Sequence, residues 1–310
     1  MDSPTTPEKP TLFDRRQVRR SFSRAADGYE AVAVLQREVE DRLLEQLDFL
    51  AIRPEAIQQP KTILDIGAGP GRGSAALRRR FPKSQLIALD LALPMLRKAR
   101  KRVGWWRPLR AVCADAQVLP FADQSIDLIF SSLCLQWVSD LPVALDEMRR
   151  VLRPGGLMLF STFGPDTLIE LREAFAKVDD QPHVSDFAPI QAVGDALQHA
   201  GFKDPVIDRD EFNLTYADVP TLMRELRAMG ANNAATDRHR GLTGKARMQA
   251  VFDAYAIWRD ADGRLPSTWE VINAHAWGPE PGQPRRGGGH SGEIATFPVD
   301  QIGIRRKRRD

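Results

Sequence analysis

Between residues 62 and 163 five short apolar runs alternate with segments of helical period, and this alternation narrows the fold more than any other feature. The runs "TILDI", "SQLIALD", "LRAVCAD", "SIDLIFSSL" and "GGLMLFSTF" lack the every-second-residue polarity of a sheet with one wet face. Strands buried on both faces need helices on both, and "GSAALRRRF", "LPMLRKARKRV" and "VALDEMRRVL" supply them. Right-handed crossovers then leave few strand orders. The expected fold is α/β and Rossmann-like: a mostly parallel seven-stranded sheet with helices on both faces. "DPVIDRDEFNLTY" and "STWEVINAHAW" are its last two strands.

Flanking segments are read by pattern. Three prolines in residues 1–10 predict disorder, and Val32, Leu35, Val39, Leu43, Leu44 and Leu47 predict helix from Asp14 to Leu50, so residues 1–50 form a disordered start and a helical arm. Residues 51–278 are the main domain, with helical insertions at about 164–188 and 218–262 expected as a lid. "GPDTLIELREAF" is read as helix throughout, and residues 279–310 as a linker, an optional edge strand and the basic tail "RRKRRD". With 43% hydrophobic and 27% charged residues, a net charge of +3 gives no reason to expect a nucleic-acid partner. No run approaches a membrane span, the first residues lack an apolar signal core, and Cys113 and Cys134 fall in apolar segments that read as buried strands or strand ends, without disulfide or zinc spacing. A soluble cytoplasmic protein without a metal is expected.

The stretch "ILDIGAGPGRGS" follows the first strand. A dinucleotide fingerprint needs Gly-x-Gly-x-x-Gly, but Gly67, Gly69 and Gly71 are spaced two apart and Arg72 stands where the third glycine belongs. Asp65 before the turn repels a pyrophosphate and welcomes an ammonium. S-adenosylmethionine fits, its amine toward Asp65 and its carboxylate toward the N–H groups opening the next helix. Asp90, ending the second strand, is placed to accept two ribose hydroxyls or to cap the following helix. Asp115, with Ala116, either takes an adenine amino group or serves a turn. Three acids ending three successive strands lie on one sheet edge, where open α/β sheets bind ligands.

"DIGAGPG", the acid ending the second strand, "ADAQVLPF" and "RVLRPGG" resemble a class I S-adenosylmethionine-dependent methyltransferase. The longer stretches "FSRAADGYEAVAVLQREVEDRLLEQL", "SSLCLQWVSDLPVALDEMRRVLRPGG", "STFGPDTLIELREAF" and "LMRELRAMGANN" resemble the malonyl-[acyl-carrier protein] O-methyltransferase family of biotin synthesis. That resemblance implies methylation of the free carboxylate of a malonyl thioester, carried by acyl carrier protein or coenzyme A. "HVSDFAPIQAVGDALQHAGF" is also similar to a mitochondrial complex I assembly factor of the same fold, but the arm "RAADGYEAVAVLQ" favours the first family. Methylation of another small carboxylic acid is a further reading.

Carried onto these positions, the resemblance implies cofactor contacts from Gln36, Asp65, Gly67, Ala68, Gly69, Gly71, Asp90, Leu91, Asp115 and Ala116. It also implies that the arm closes over the cofactor, with Tyr29 near the reacting methyl and on one helical face with Gln36. A malonyl carboxyl with a pKa of about 4 is already ionised at neutral pH, so no general base is required. A cation to hold it is, and Arg227, slightly ahead of Arg224, is the candidate. Gln136 and Trp137 follow the fourth strand, and His183 is a further candidate at the same mouth. "SSLCLQW" has no proline pair, which argues against nitrogen acceptors, and apolar surroundings raise the Cys134 thiol. Carrier proteins are acidic, so the tail and the arginines of "FDRRQVRR" are expected to steer docking. Deleting residues 303–310 should raise the KM for a carrier-linked substrate most at low ionic strength, and steady-state kinetics across a salt series checks it.

Overall fold

The computed structural model describes residues 13–51, 59–104, 109–236, 238 and 244–280. Its strands are β1 (Thr62–Ile66), β2 (Gln85–Asp90), β3 (Arg110–Cys113), β4 (Ile126–Ser132), β5 (Leu152–Phe163), β6 (Lys203–Tyr216) and β7 (Leu265–Trp277). They form one sheet in the order β3-β2-β1-β4-β5-β7-β6. The first five are parallel, and β7 runs antiparallel to both β5 and β6. The expected α/β sheet is therefore the observed one, and its strand order reverses between β1 and β4. That reversal opens a crevice at their carboxyl ends.

The unbroken apolar strands are explained by two cores. Ile63, Leu157 and Leu159 point to one face, where Leu43 and Leu47 of α3 (Val34–Ala51) and Leu77 of α4 (Arg72–Arg80) cover them. Leu64, Ile66, Met158 and Phe160 point to the other, beneath α6 (Leu141–Val151) and α8 (Ile190–His199). Helix α5 (Leu93–Val103) packs beside α4 on the first face. Beyond the sheet, α7 (Ile169–Ala176), α9 (Val219–Ala228) and α10 (Lys245–Tyr255) share a third core with Leu35 and Val39 of α3.

Four local readings are corrected. The arm is not one helix but α1 (Arg15–Ala25), α2 (Tyr29–Val32) and α3, broken at Asp27–Gly28 and again at Ala33, whose φ of −79° and ψ of 52° leave the helical region. Asp14 starts α1, its Oδ1 accepting from the N–H groups of Arg16 (3.0 Å) and Gln17 (3.2 Å). Second, "RPGG" does not precede β5; it bulges out of it. The register jumps from Ile126↔Leu152 to Leu128↔Leu157, and Gly155 N–H donates to Gly278 O at 2.9 Å. Third, α7 starts at Ile169 because Glu270 on β7 holds the preceding turn, accepting from Asp166 N–H (2.9 Å), while its carbonyl accepts from the Thr167 hydroxyl (3.0 Å). Fourth, Cys113 is exposed, since β3 is an edge strand. The start 1–12 and the expected linker, edge strand and tail at 281–310 lie outside the described residues.

Gly71 caps α4 at a φ of +84°, and a Cβ there would lie 2.6 Å from the Cα of Ala99 on α5. Gly71→Ala is expected to destabilise the protein by about 2–4 kcal/mol in urea unfolding, through left-handed strain and overlap together. Gly28→Ala, at a φ of −100° with open space around it, should change stability by less than about 0.5 kcal/mol.

Candidate active site

At the carboxyl ends of β1, β2 and β4 lie two cavities that share Tyr29, Gly67, Gly69 and Ser132 and so form one cleft. The first is walled by Asp65 and the glycine turn on the sheet side and by Gln36, Arg37 and Glu40 on the arm side. The second is walled by Asp90, Leu91, Asp115 and Ala116, with Val18 and Phe22 of α1 and Trp137 opposite. The arm is thus a wall of the cleft.

The glycine turn is tied to the end of β2. Gly67 and Ala68 N–H groups donate to Leu89 O (2.8 and 3.0 Å), and Gly69 N–H donates to Asp90 Oδ2 at 2.9 Å. Gly67, at a φ of +71°, lies against Cys134, where any Cβ would overlap the Cys134 side chain. Gly69, at a φ of +50°, lines the cleft, and the Gly67 carbonyl oxygen lies 3.9 Å from where its Cβ would be. Gly71 lines neither cavity; its role is the approach to Ala99. Arg72 lines the first cavity and reaches α3, donating to Glu40 Oε2 and Asp41 Oδ1, both at 2.7 Å.

Electrostatics set the site's character. Asp65 is buried and accepts from the Ser74 hydroxyl; burial pushes its carboxyl up to about 7, helped by the charges of Glu40 and Asp90. Burial lifts Asp90 to about 6 although Ala92 and Gly69 N–H groups hold it down. Glu40, only 14% exposed, is raised by burial and stabilised by Arg72 and by Gly73 N–H. The N-terminus of α4, where a ligand carboxylate was expected, therefore already receives the Glu40 carboxylate. The Tyr29 hydroxyl is raised by burial and by Glu40 and Asp90, so it stays a neutral donor. Burial pushes the Cys134 thiol up to about 12, in keeping with an inert cysteine.

Of the residues chosen from sequence, Gln36, Asp65, Gly67, Ala68 and Gly69 meet in the first cavity and Asp90, Leu91, Asp115 and Ala116 in the second, with Tyr29 in both. Tyr29 and Gln36 meet there from different helices, α2 and α3, so the shared helical face is not the reason. Gln136 sits just behind, its Nε2 donating to Leu133 O at 2.8 Å. Trp137 lies edge-on to Phe13 and Phe22. Arg224 and Arg227 are exposed on α9 and line neither cavity. His183 pairs with Asp179 at 2.8 Å and stacks on Phe175, which holds the α7 side of the insertions together. Glu40, Arg37 and Ser132 were missed. For Glu40 a signal existed: with Gln36 it lies on the same stripe as buried Leu43 and Leu47, where a carboxylate has no structural reason to be.

A family model described as a methyltransferase domain matches residues 64–160. Over 296 residues the chain is 54% identical to the malonyl-[acyl-carrier protein] O-methyltransferase of Xylella fastidiosa (strain M23), covering 96% of this chain and 98% of that protein. The chain belongs to the malonyl-[acyl-carrier protein] O-methyltransferase family. Its relative of the same description in Halorhodospira halophila is 49% identical over 298 residues, with 96% and 97% covered. Among solved structures, the fold matches phosphoethanolamine N-methyltransferase 2 of Haemonchus contortus, bound to phosphomonomethylethanolamine and S-adenosylhomocysteine, with a TM-score of 0.55 at 17% identity over 89% of this chain and 62% of that one. It also matches the YcgJ protein of Bacillus subtilis, with a TM-score of 0.51 at 19% identity over 77% of this chain and 98% of that one.

The residues of the cleft fit a cationic nucleoside. Asp65, buried, and Asp90, half-buried, are acids whose raised carboxyls a positive ligand would relieve, and Gln36 Oε1 is buried with no hydrogen-bond partner. Because Asp65 folds to a value above that of an unfolded aspartate, ionising it opposes folding, and the ligand-free protein loses stability as pH rises through about 7. Asp65→Asn should therefore raise ligand-free stability at pH 8, by about 1–3 kcal/mol, while weakening S-adenosylmethionine binding about 100-fold or more. Thermal unfolding and titration calorimetry check the two halves. At pH 6 the wild type should release a proton on binding that ligand, seen as a buffer-dependent heat.

Proposed function

We propose that the protein transfers a methyl group from S-adenosylmethionine to the free carboxylate of malonyl-[acyl-carrier protein], giving the methyl ester at an early step toward pimeloyl and biotin synthesis. The observation that carries this is the reach of the family relationship. At 54% identity it spans 96% of the chain, taking in the arm that walls the cleft and the α7, α9 and α10 insertions as well as the sheet.

When bound, S-adenosylmethionine supplies an electrophilic methyl on a sulfonium. The chain's own work is placement and exclusion of water. Asp65 receives the amine, and Gln36 with Arg37 receives the carboxylate in place of the occupied α4 terminus. Asp90 takes the ribose hydroxyls; each of its oxygens accepts one backbone N–H (2.9 and 2.7 Å) and retains a lone pair for a further bond. Asp115 takes the adenine amino group, its Oδ1 fixed by Gln117 N–H (2.9 Å) and its Oδ2 by Arg15 (2.9 Å). Tyr29, common to both cavities, stands where the two halves of the ligand join. Alignment at contact distance supplies most of the acceleration of such a displacement, with effective molarities of about 10⁵ M or more.

The acceptor carboxylate needs a cation beside an apolar channel. The insertions 164–188 and 218–262 serve as the lid, and Arg227 on α9 is the cation. Its guanidinium makes no hydrogen bond or ion pair among the described residues, whereas the Arg224 guanidinium is engaged by Thr221 Oγ1 at 2.8 Å. Gln136, whose Oε1 is buried and unpartnered, positions Leu133 at the cleft floor. The carrier-linked thioester is preferred over malonyl-coenzyme A, and the enzyme works in the cytoplasm. No described helix is long and apolar enough to cross a membrane.

The test is label transfer from methyl-labelled S-adenosylmethionine. Malonyl-carrier protein should acquire a label that alkali releases as methanol, and acetyl-carrier protein, lacking a free carboxylate, should acquire none. No transfer to the malonyl form would overturn the reading in favour of a non-methylating protein of this fold. Arg227→Ala is expected to raise the KM for the malonyl substrate by about tenfold or more, with unchanged S-adenosylmethionine affinity. Arg224→Ala should raise it by less than about threefold.

A further inference from the structure

The charge of this chain is not spread evenly. Helices α1 and α5, 11 residues each, carry ten basic residues and no acidic one, in a chain whose 44 Lys and Arg nearly balance 41 Asp and Glu. The two helices touch each other. A few of these cations have structural partners: Arg15 pairs with Asp115, Lys98 with Asp27 and Arg102 with Glu30. Arg16, Arg19, Arg20 and Arg24 on α1 and Arg97 on α5 are exposed, and none forms an ion pair among the described residues. Four exposed arginines along one helix face repel one another. A fold does not need them there.

Their position relative to the cleft is the second observation. The opposite face of α1 presents Val18 and Phe22 to the second cavity, and Met95 of α5 lines the same cavity. The basic face is thus the outer surface of the cleft's own wall, one helix thickness of about 10 Å from the cavity. Leu93, at the start of α5, is 46% exposed beside these cations, an apolar contact point within a charged surface.

We propose that the exposed face of α1, together with Leu93 and Arg97 of α5, is the docking surface for the acidic carrier domain that delivers the malonyl thioester. This rests on the function proposed above. The arginines steer and orient an acidic partner, Leu93 supplies a desolvated contact, and a partner seated there stands within reach of the cleft across α1.

The experiment compares Arg19→Glu/Arg20→Glu with the wild type on two substrates, malonyl-carrier protein and the malonyl thioester of N-acetylcysteamine, which has no carrier. At low ionic strength the KM for the carrier-linked substrate should rise about tenfold or more, and the difference should shrink to within about twofold near 0.5 M salt. Turnover of the small thioester should be unchanged, which also reports an intact fold. Arg79→Glu, an exposed cation at the far end of α4, should leave both substrates unaffected. An unchanged carrier KM would overturn the surface, and so would an equal loss with both substrates. So would RNA binding that the variant abolishes while carrier kinetics stay the same. A wild type that methylates neither malonyl substrate would instead overturn the function itself, so the two failures are separable.

Discussion

Two carboxylates, the buried Asp65 and the half-buried Asp90, stand at the ends of adjacent strands, and both carry a desolvation cost that their neighbours only partly offset. Each is raised well above an ordinary aspartate, and Glu40 adds a third negative group to the same space. The fold offsets part of this with Ser74, with the N–H groups of Gly69 and Ala92, and with Arg72 on Glu40. It leaves the remainder unbalanced. A site that is electrostatically incomplete without a cation binds one selectively, because the ligand's charge removes a penalty the protein already carries.

The same constraint explains the arm. A cleft at a strand-order reversal is open to solvent unless something covers it, and water there would screen the acids and weaken their preference for a cation. α1, α2 and α3 supply the cover. They are anchored at one end by the pairing of Phe13 with Ala235 and at the other by Leu43 and Leu47 on the sheet. The helix breaks at Gly28 and Ala33 let Tyr29 turn into the cleft while α3 keeps its apolar stripe on the core. Covering and binding are therefore done by one segment, which ties access to the site to whatever touches the outside of α1.

Much of this was legible in the residues. The sheet, its helices and the acids ending β1, β2 and β3 follow from local pattern, because burial on both faces forces continuous apolar strands and a sheet edge collects whatever ends them. The approach of Gly71 to Ala99 on α5 left no mark in the sequence, since a turn glycine looks alike whether it faces a ligand or a neighbouring helix. Glu40 was passed over because charge on a helix normally faces water. Tyr29 and Gln36 were brought together on a false helical face, because a four-residue helix broken by Ala33 leaves no periodic trace.

The sequence by itself determined the layer architecture, the acids that end β1, β2 and β3, and the separation of basic residues onto α1 and α5. Those are properties of local pattern and composition, and they hold whatever the chain's path. Only the tertiary structure decided that the arm is a wall of the cleft, that Glu40 occupies the α4 terminus, and that Arg224 and Arg227 stand outside the cavities. Each of these depends on where residues far apart in the chain, such as Glu40 and Gly73 or Asp14 and Ala234, come to lie. Such encounters are set by packing of the whole molecule, which no local window of residues contains.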